Sequence, residues 1–190
     1  GSVRRNAHRL KRLVDDMLNV SLIESGSVVL RREAVDLGEV VRDVVTELLP
    51  LVGELKHTIS LLKRWMRPHP VGATLATVGT SSRVMYQPKG RCLIISPWNY
   101  PLSLALGPLV SAVAAGNTAI LKPSEFTPHT NRVVGDIIGA VFPKNEVAVV
   151  EGAADVATDL LARPFDHIFF TGSPAVGKKV MAGAAGNLAL

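Results

Sequence analysis

One cysteine in 190 residues, Cys92, excludes a disulfide framework and any zinc site assembled from cysteines, and it suits a reducing, cytoplasmic setting. Aromatic residues make up only 5% of the chain. The basic cluster of Arg4, Arg5, Arg9, Lys11 and Arg12 therefore lacks the interleaved rings of a nucleic-acid surface and reads as a solvated helix face, so no nucleic-acid partner is expected. His8, His57, His69, His129 and His167 show no ligand spacing, and no metal is expected. The GxGxxG fingerprint of dinucleotide folds is missing as well. The formal charge of +5 is spread thinly, with 12 Lys/Arg against 9 Asp/Glu up to residue 67 and 9 against 7 afterwards. No signal peptide opens the chain, and Gly1-Ser2 in place of methionine reads as a cloning scar or an internal cut.

A hydrophobic content of 47% is enough for a buried core without staples. Over residues 3–24, Ala7, Leu10, Val14 and Met17, flanked by Leu13, Leu18 and Leu22, form the apolar stripe of an amphipathic helix. Ser25-Gly26-Ser27 ends it, residues 28–30 suit a short strand, and Asp36 can cap a second helix through Val40, Val41, Val44, Val45, Leu48 and Leu49. Pro50 and Gly53 predict an interruption there, with the helix resuming through Leu55, Ile59, Leu62 and Trp65 until Pro68 and Pro70 break it. Residues 68–82 read as a loop or edge segment.

Beyond that the texture alternates. Strands are expected at 83–87, 92–96, 118–122, 146–150 and 167–171, and helices at about 102–114, 127–141, 153–162 and 174–185. Repeated strand-helix units imply right-handed crossovers and a parallel sheet covered on both faces: an α/β, Rossmann-like fold preceded by an amphipathic helical segment. Three parts follow, a helical segment over 1–45, a helix and crossing loop over 46–82, and the Rossmann-like part over 83–190. Residues 102–121 are nearly long enough to span a bilayer, but Gly107-Pro108 interrupts them, Gly116-Asn117 punctuates them and Lys122 follows at once. A buried helix followed by a buried strand has the same hydropathy, so no membrane segment is expected.

In open α/β sheets, ligands sit beyond the carboxyl ends of the strands. The residues there are Ser96-Pro97-Trp98-Asn99, Lys122-Pro123-Ser124-Glu125, Gly152, and Thr171-Gly172-Ser173 leading into Pro174-Ala175-Val176-Gly177. Lys122 and Glu125 offer the ammonium and carboxylate that hold ribose hydroxyls. Ser173 before Pro174 can open a helix whose first N–H groups and positive dipole end suit a pyrophosphate. Each piece also has an ordinary use: Ser173 as a plain helix cap, Lys122-Pro123 as a strand exit, Asn99 as a turn former.

The run PWNYPLSLALGPLVSAVAAGNTAILKPSE, with TPHTNRVV, VFPKNEVAVVEG and PFDHIFFTGSPAVGKKVM, resembles the aldehyde dehydrogenase superfamily, and most of all its coniferyl, aromatic and fatty aldehyde types. LKRWMRP and YQPKGRCLIIS extend the likeness over about residues 46–188. The resemblance implies NAD or NADP as cofactor and an aldehyde as substrate, oxidised to a carboxylic acid. It places Ser96, Pro97 and Trp98 along the cofactor, Lys122 and Glu125 at the adenosine ribose, and Gly172, Ser173 and Val176 around pyrophosphate and adenine. Asn99 becomes the side-chain amide of the oxyanion hole. The family's general-base glutamate, in a Glu-Leu-Gly-Gly-Lys segment, and its nucleophilic cysteine both fall after Leu190, so this chain alone is expected to be a truncated, inactive form. Cys92 stands in an apolar run where a small buried hydrophobe is expected.

Residues 4–45, Arg5-Asn6-Ala7 with RLKRLVDDMLNVSLIESGSVVLRREAVDLGEVVRDVV, resemble instead the second dimerisation helix of sensor histidine kinases and the entry to their ATP-binding domain, without the phosphoacceptor helix or any ATP-binding box. That implies a chimera joined near residues 42–47. In the alternative reading the Ala7–Leu22 stripe is a homodimer seam carrying a passive passenger, or the fusion has no selected function.

Overall fold

The computed structural model describes residues 36–186, together with His8 and Lys11. The amphipathic helix expected over 3–24, the strand at 28–30 and most of the kinase-like stretch at 4–45 lie outside the described residues. Helix α1 (Leu37–Asp43) starts behind Asp36, whose Oδ1 accepts the Gly38 N–H at 2.7 Å. It runs through a π-helical turn (Val44–Leu48) into α2 (Leu49–Trp65). The interruption expected at Pro50 and Gly53 thus falls just before them. Pro50 has no N–H to offer the Thr46 carbonyl and its ring crowds that oxygen; the wider turn, closed by the Leu49 N–H on the Val44 carbonyl, relieves the conflict. Gly53 lies within an unbroken helix. In α2 the buried residues Leu51, Leu55, Thr58 and Leu62 recur at four, three and four positions, the spacing of one helix face.

Strands β1 (His69–Val71) and β2 (Ser82–Val84) then pair antiparallel, with His69 opposite Val84, around a short 3-10 turn (Leu75–Thr77). Residues 68–82, expected to be a loop or edge segment, thus contribute to a small separate ribbon, and the expectation of a parallel strand at 83–87 is corrected. Every residue of the ribbon is exposed, so it has no apolar face to lay into the main sheet, and Pro70, which cannot donate to a ladder, is tolerated on its edge.

The other four strands form one parallel sheet: β3 (Arg91–Ile95), β4 (Thr118–Lys122), β5 (Val147–Val149) and β6 (His167–Phe170), in the order β5-β4-β3-β6. Helices α3 (Ser103–Ala114), α4 (Pro128–Val141), α5 (Ala154–Leu161) and α6 (Pro174–Ala184) connect and follow them. Alternation along β3 divides the core. Cys92 and Ile94 pack with Leu55 of α2, Leu106 and Leu109 of α3 and Ile138 of α4; Leu93 and Ile95 pack with Leu161 of α5 and Val180 of α6. Helices therefore cover both faces, as the strand-helix alternation predicts.

Helix α3 is apolar almost all round because it is wedged between α2 and the sheet. Leu106 and Leu109 are fully buried there, each contributing about 1.5–3 kcal/mol by removal from water. That wedge explains the membrane-like hydropathy of 102–121; no helix among the described residues is long and apolar enough to cross a membrane. The chain leaves β3 through α3 to β4 on one side and continues to β5, then returns through α5 to β6 on the other side of β3. The strand order reverses between β3 and β6, and in open α/β sheets it is beyond the carboxyl ends at such a reversal that a ligand crevice is expected.

Candidate functional site

Strand β3 carries the first wall of this crevice. The Ser96 N–H extends the ladder to the Lys122 carbonyl at 3.1 Å, and the residue is 4% exposed. Its Oγ is the one buried side-chain polar atom without a hydrogen-bond partner among the described residues. Leaving a hydroxyl in that condition costs about 1–3 kcal/mol, which any hydrogen-bonding group seated beside it would recover. Pro97 is half-buried, Trp98 is 64% exposed and Asn99 is exposed. Tyr100 takes φ 49°, a left-handed conformation uncommon for an aromatic residue, and its carbonyl accepts the Leu104 N–H at 3.0 Å and the Ser103 hydroxyl at 3.4 Å.

Strand β4 ends on the second wall. Lys122 is buried and donates from Nζ to Glu125 Oε2 at 3.2 Å and to the Pro123 carbonyl at 3.3 Å. The Glu125 carboxyl is held below the usual carboxylate range by its own backbone N–H first, with the Lys122 hydrogen bond and charge adding to it and burial opposing. Lys122 and Glu125 are thus brought together, but the ammonium is largely committed to its own turn and the more accessible group is the carboxylate. The turn is locked from below by Asn131 of α4, whose Nδ2 donates to the Ser124 carbonyl at 2.8 Å while its Oδ1 accepts the Thr127 hydroxyl at 3.1 Å. Sequence reasoning missed this buried amide; the available signal was an Asn on the stripe that Val134 and Ile138 continue.

Strand β6 supplies the third wall. The Thr171 N–H donates to the Ile95 carbonyl at 3.1 Å, which carries the β3–β6 ladder to the lip of the crevice. A Cβ on Gly172 would run into the far end of the Phe170 ring, which would have to shift. Ser173 caps α6 as expected, its Oγ accepting the Val176 N–H at 3.4 Å with Pro174 in the first turn, and Val176 is exposed beside it. Gly152, after β5, has φ 150°, and a Cβ there would meet Val156. Ser96, Lys122 and Ser173 therefore end three adjacent strands, with the reversal point between the first and the last.

Cys92 takes no part. It is buried in the core, and burial first, then the Asp166 charge, pushes its thiol pKa up, with Lys89 opposing. Two large hollows among the described residues also lie elsewhere. One of about 820 Å³ opens between the last turns of α2 and α3, beside Trp65, Tyr86 and Phe142; another of about 680 Å³ lies by Cys92, Pro108 and His167. Both reach the amino ends of strands, whereas the polar groups suited to a dinucleotide collect at the carboxyl ends, and chemistry rather than volume marks the site.

The chain as a whole has relatives among known proteins. The chain is 38% identical over 182 residues to the coniferyl aldehyde dehydrogenase of Pseudomonas sp. (strain HR199), covering 95% of this chain and 37% of that protein. It is 42% identical over 154 residues to the 4,4'-diaponeurosporen-aldehyde dehydrogenase of Staphylococcus aureus (strain NCTC 8325), covering 80% of this chain and 34% of that one. Among solved structures, the substrate-bound state of Staphylococcus aureus AldH superposes with a TM-score of 0.81 at 32% identity, over 97% of this chain and 40% of that chain. The chain thus spans well under half the length of the proteins it matches. The sequence model of the aldehyde dehydrogenase family matches residues 17–189 and so reaches well into residues 4–45, the stretch expected from the sequence to be kinase-like. On a match of that extent, the chain belongs to the aldehyde dehydrogenase family.

Proposed function

We propose that residues 36–186 form the dinucleotide-binding part of an NAD(P)-dependent aldehyde dehydrogenase, with Ser96, Pro97, Trp98, Lys122, Glu125, Gly172, Ser173 and Val176 around the cofactor. The observation that carries the reading is the buried, unpartnered Ser96 hydroxyl beside a reversal of strand order, with a serine-capped helix on the opposite wall. These residues fit the group. The start of α6 offers N–H groups and a positive dipole end to a pyrophosphate, and Glu125, ionised and accessible, can accept from ribose hydroxyls. That carboxylate favours a free 2′-hydroxyl over a 2′-phosphate, so NAD is the preferred form. Trp98, next in the chain to Asn99, shapes the end where chemistry occurs.

The parent reaction converts an aldehyde, water and the oxidised cofactor into a carboxylic acid, the reduced cofactor and a proton. When bound, the nicotinamide would supply the hydride acceptor. Asn99 serves the preceding addition. As a nucleophile attacks the carbonyl carbon, the oxygen gains negative charge, and a side-chain N–H already aimed at it lowers the barrier by about 3 kcal/mol. In this reading the nucleophilic cysteine and the general-base glutamate are supplied by segments outside residues 1–190, and the chain by itself binds cofactor without turning over aldehyde. The two relatives described above are named for coniferyl aldehyde and for 4,4'-diaponeurosporen-aldehyde, and an aldehyde is the substrate class proposed here.

Titration of the chain with NAD, followed by the fluorescence of Trp98 in a Trp65→Phe background, tests the proposal. A saturable change is expected; its absence up to millimolar cofactor would sink it.

A further inference from the structure

A charged residue breaks the apolar stripe of α2. Counting back from Leu62, Thr58, Leu55 and Leu51, the next position on the buried face is residue 47, and it is a glutamate, only 8% exposed. Around it Val45 and Leu49 are more than half exposed. A carboxylate inside and aliphatic side chains outside invert the ordinary preference, so something must compensate the burial. The compensation comes from 55 residues away. Glu47 Oε2 accepts the Leu102 N–H at 2.8 Å and the Ser103 N–H at 3.1 Å, the first amides of α3. That helix has no cap of its own, because Leu102 stands at the capping position and offers no oxygen. Glu47 supplies the missing acceptor and the negative charge that a helix start favours.

The consequence reaches the proposed active site. Asn99 lies between two anchors: the β3–β4 ladder, which ends with the Ser96 N–H on the Lys122 carbonyl, and the start of α3. Between Asn99 and the second anchor stand only Tyr100, held at φ 49°, and Pro101. A non-glycine residue keeps such a conformation only where its surroundings over-determine it. The surroundings here are the Leu104 and Ser103 donors on the Tyr100 carbonyl and the clamp of Glu47 on the Leu102 and Ser103 amides.

We propose that Glu47 is a positioning residue: by clamping the Leu102 and Ser103 amides it sets the conformation of the 97–101 loop and thereby the aim of Asn99. The functional weight of this inference rests on the reading of Asn99 as the carbonyl-facing donor; the coupling between Glu47 and Asn99 is a separate, structural statement. It also implies that the start of α3, already filled by a carboxylate of the same chain, repels an anion, whereas the first turn of α6 carries no acidic residue.

The test uses the full 190-residue chain, isotope-labelled, as Glu47→Ala and Glu47→Gln. In Glu47→Ala the Leu102 and Ser103 amides are expected to exchange about tenfold faster or more, while Leu93 and Leu121 in the sheet keep their protection. The side-chain amide signals of Asn99 and the indole signal of Trp98 should move with them. Glu47→Gln, which keeps one carbonyl acceptor, should shift the same signals in the same direction by a smaller amount. If Glu47→Ala fails to fold, Glu47→Gln carries the decision. Loss of protection at Leu102 and Ser103 with Asn99 and Trp98 unmoved would reduce Glu47 to a helix cap and overturn the proposal, as would unchanged protection at those two amides. An NAD titration of the unsubstituted chain runs alongside. Absence of binding there defeats the cofactor-binding reading, while the amide signals still decide the Glu47 coupling.

Discussion

The two edges of the parallel sheet are built from the same four strands and differ in how their polar groups are used. At the amino edge the groups meet one another. The Gly90 N–H donates to Asn117 Oδ1 at 2.8 Å, and the Asp166 carboxylate accepts the Arg91 N–H at 2.8 Å and its Nε at 3.2 Å. At the carboxyl edge a buried hydroxyl has no partner, a tryptophan faces outward and a tyrosine holds a left-handed conformation. On the function proposed above, the polar groups of the closed amino edge serve stability and those of the open carboxyl edge serve a ligand, the side where ligands bind when strand order reverses. Substitutions at the two edges should therefore separate stability from binding.

The largest effect is expected at the closed edge. Gly90 has φ 128°, and a Cβ there would meet the Asp166 carboxylate. Gly90→Ala combines backbone strain with displacement of a group that holds two Arg91 donors, and should cost about 2 kcal/mol in chemical denaturation. NAD affinity of the folded fraction should stay unchanged; a drop in affinity would show that the two edges are not independent. Next comes Ser173→Ala at the open edge. Loss of the α6 cap should cost about 1 kcal/mol of stability, and NAD binding should weaken beyond what the lost fold accounts for. A change in stability alone would leave Ser173 as an ordinary cap.

Much of this contrast was legible in the sequence, and the reasons differ by residue. The carboxyl-edge residues were found because strand ends announce themselves: apolar runs stop at Ser96-Pro97, Lys122-Pro123 and Thr171-Gly172, and the four strands of the parallel sheet stand within about a residue of where alternation puts them. What failed was pairing. Residues 83–87 carry strand-type side chains, but nothing local says that their partner is His69–Val71 rather than the main sheet. Strand order was equally hidden, since β6 joins β3 across 75 residues of sequence, the separation of Arg91 and Asp166. Glu47 and Asn131 were missed for one reason: each is polar on an apolar helix stripe, and its partner lies on another element or in a turn before its helix. Tyr100 gave no signal, because the residue before a proline is ordinarily extended.

Ser96→Ala sharpens the comparison from the open side. Removing an unpartnered hydroxyl should leave stability unchanged or raise it by up to about 1 kcal/mol, while NAD binding weakens by about three- to tenfold for the lost hydrogen bond. Destabilisation with unaltered binding would mean that the hydroxyl serves the fold and that the open edge is open only in appearance.

The smallest effect belongs to the closed edge and is read by pH. His167 begins β6, and burial first, then the positive charge of Lys89, lowers its pKa below the ordinary 6.5. A histidine with a depressed folded pKa binds its proton more readily in the unfolded chain, so its contribution runs opposite to that of a histidine paired with a carboxylate. The stabilisation is fully present above pH 6.5 and is lost gradually as pH falls from there toward the folded pKa. Denaturation midpoints should decline over that interval, and His167→Gln, which cannot charge, should flatten the decline without moving NAD affinity at neutral pH. A decline of the same slope in the variant would assign the loss to another group. It would also remove His167 from the set of amino-edge residues whose environment is tuned for stability alone.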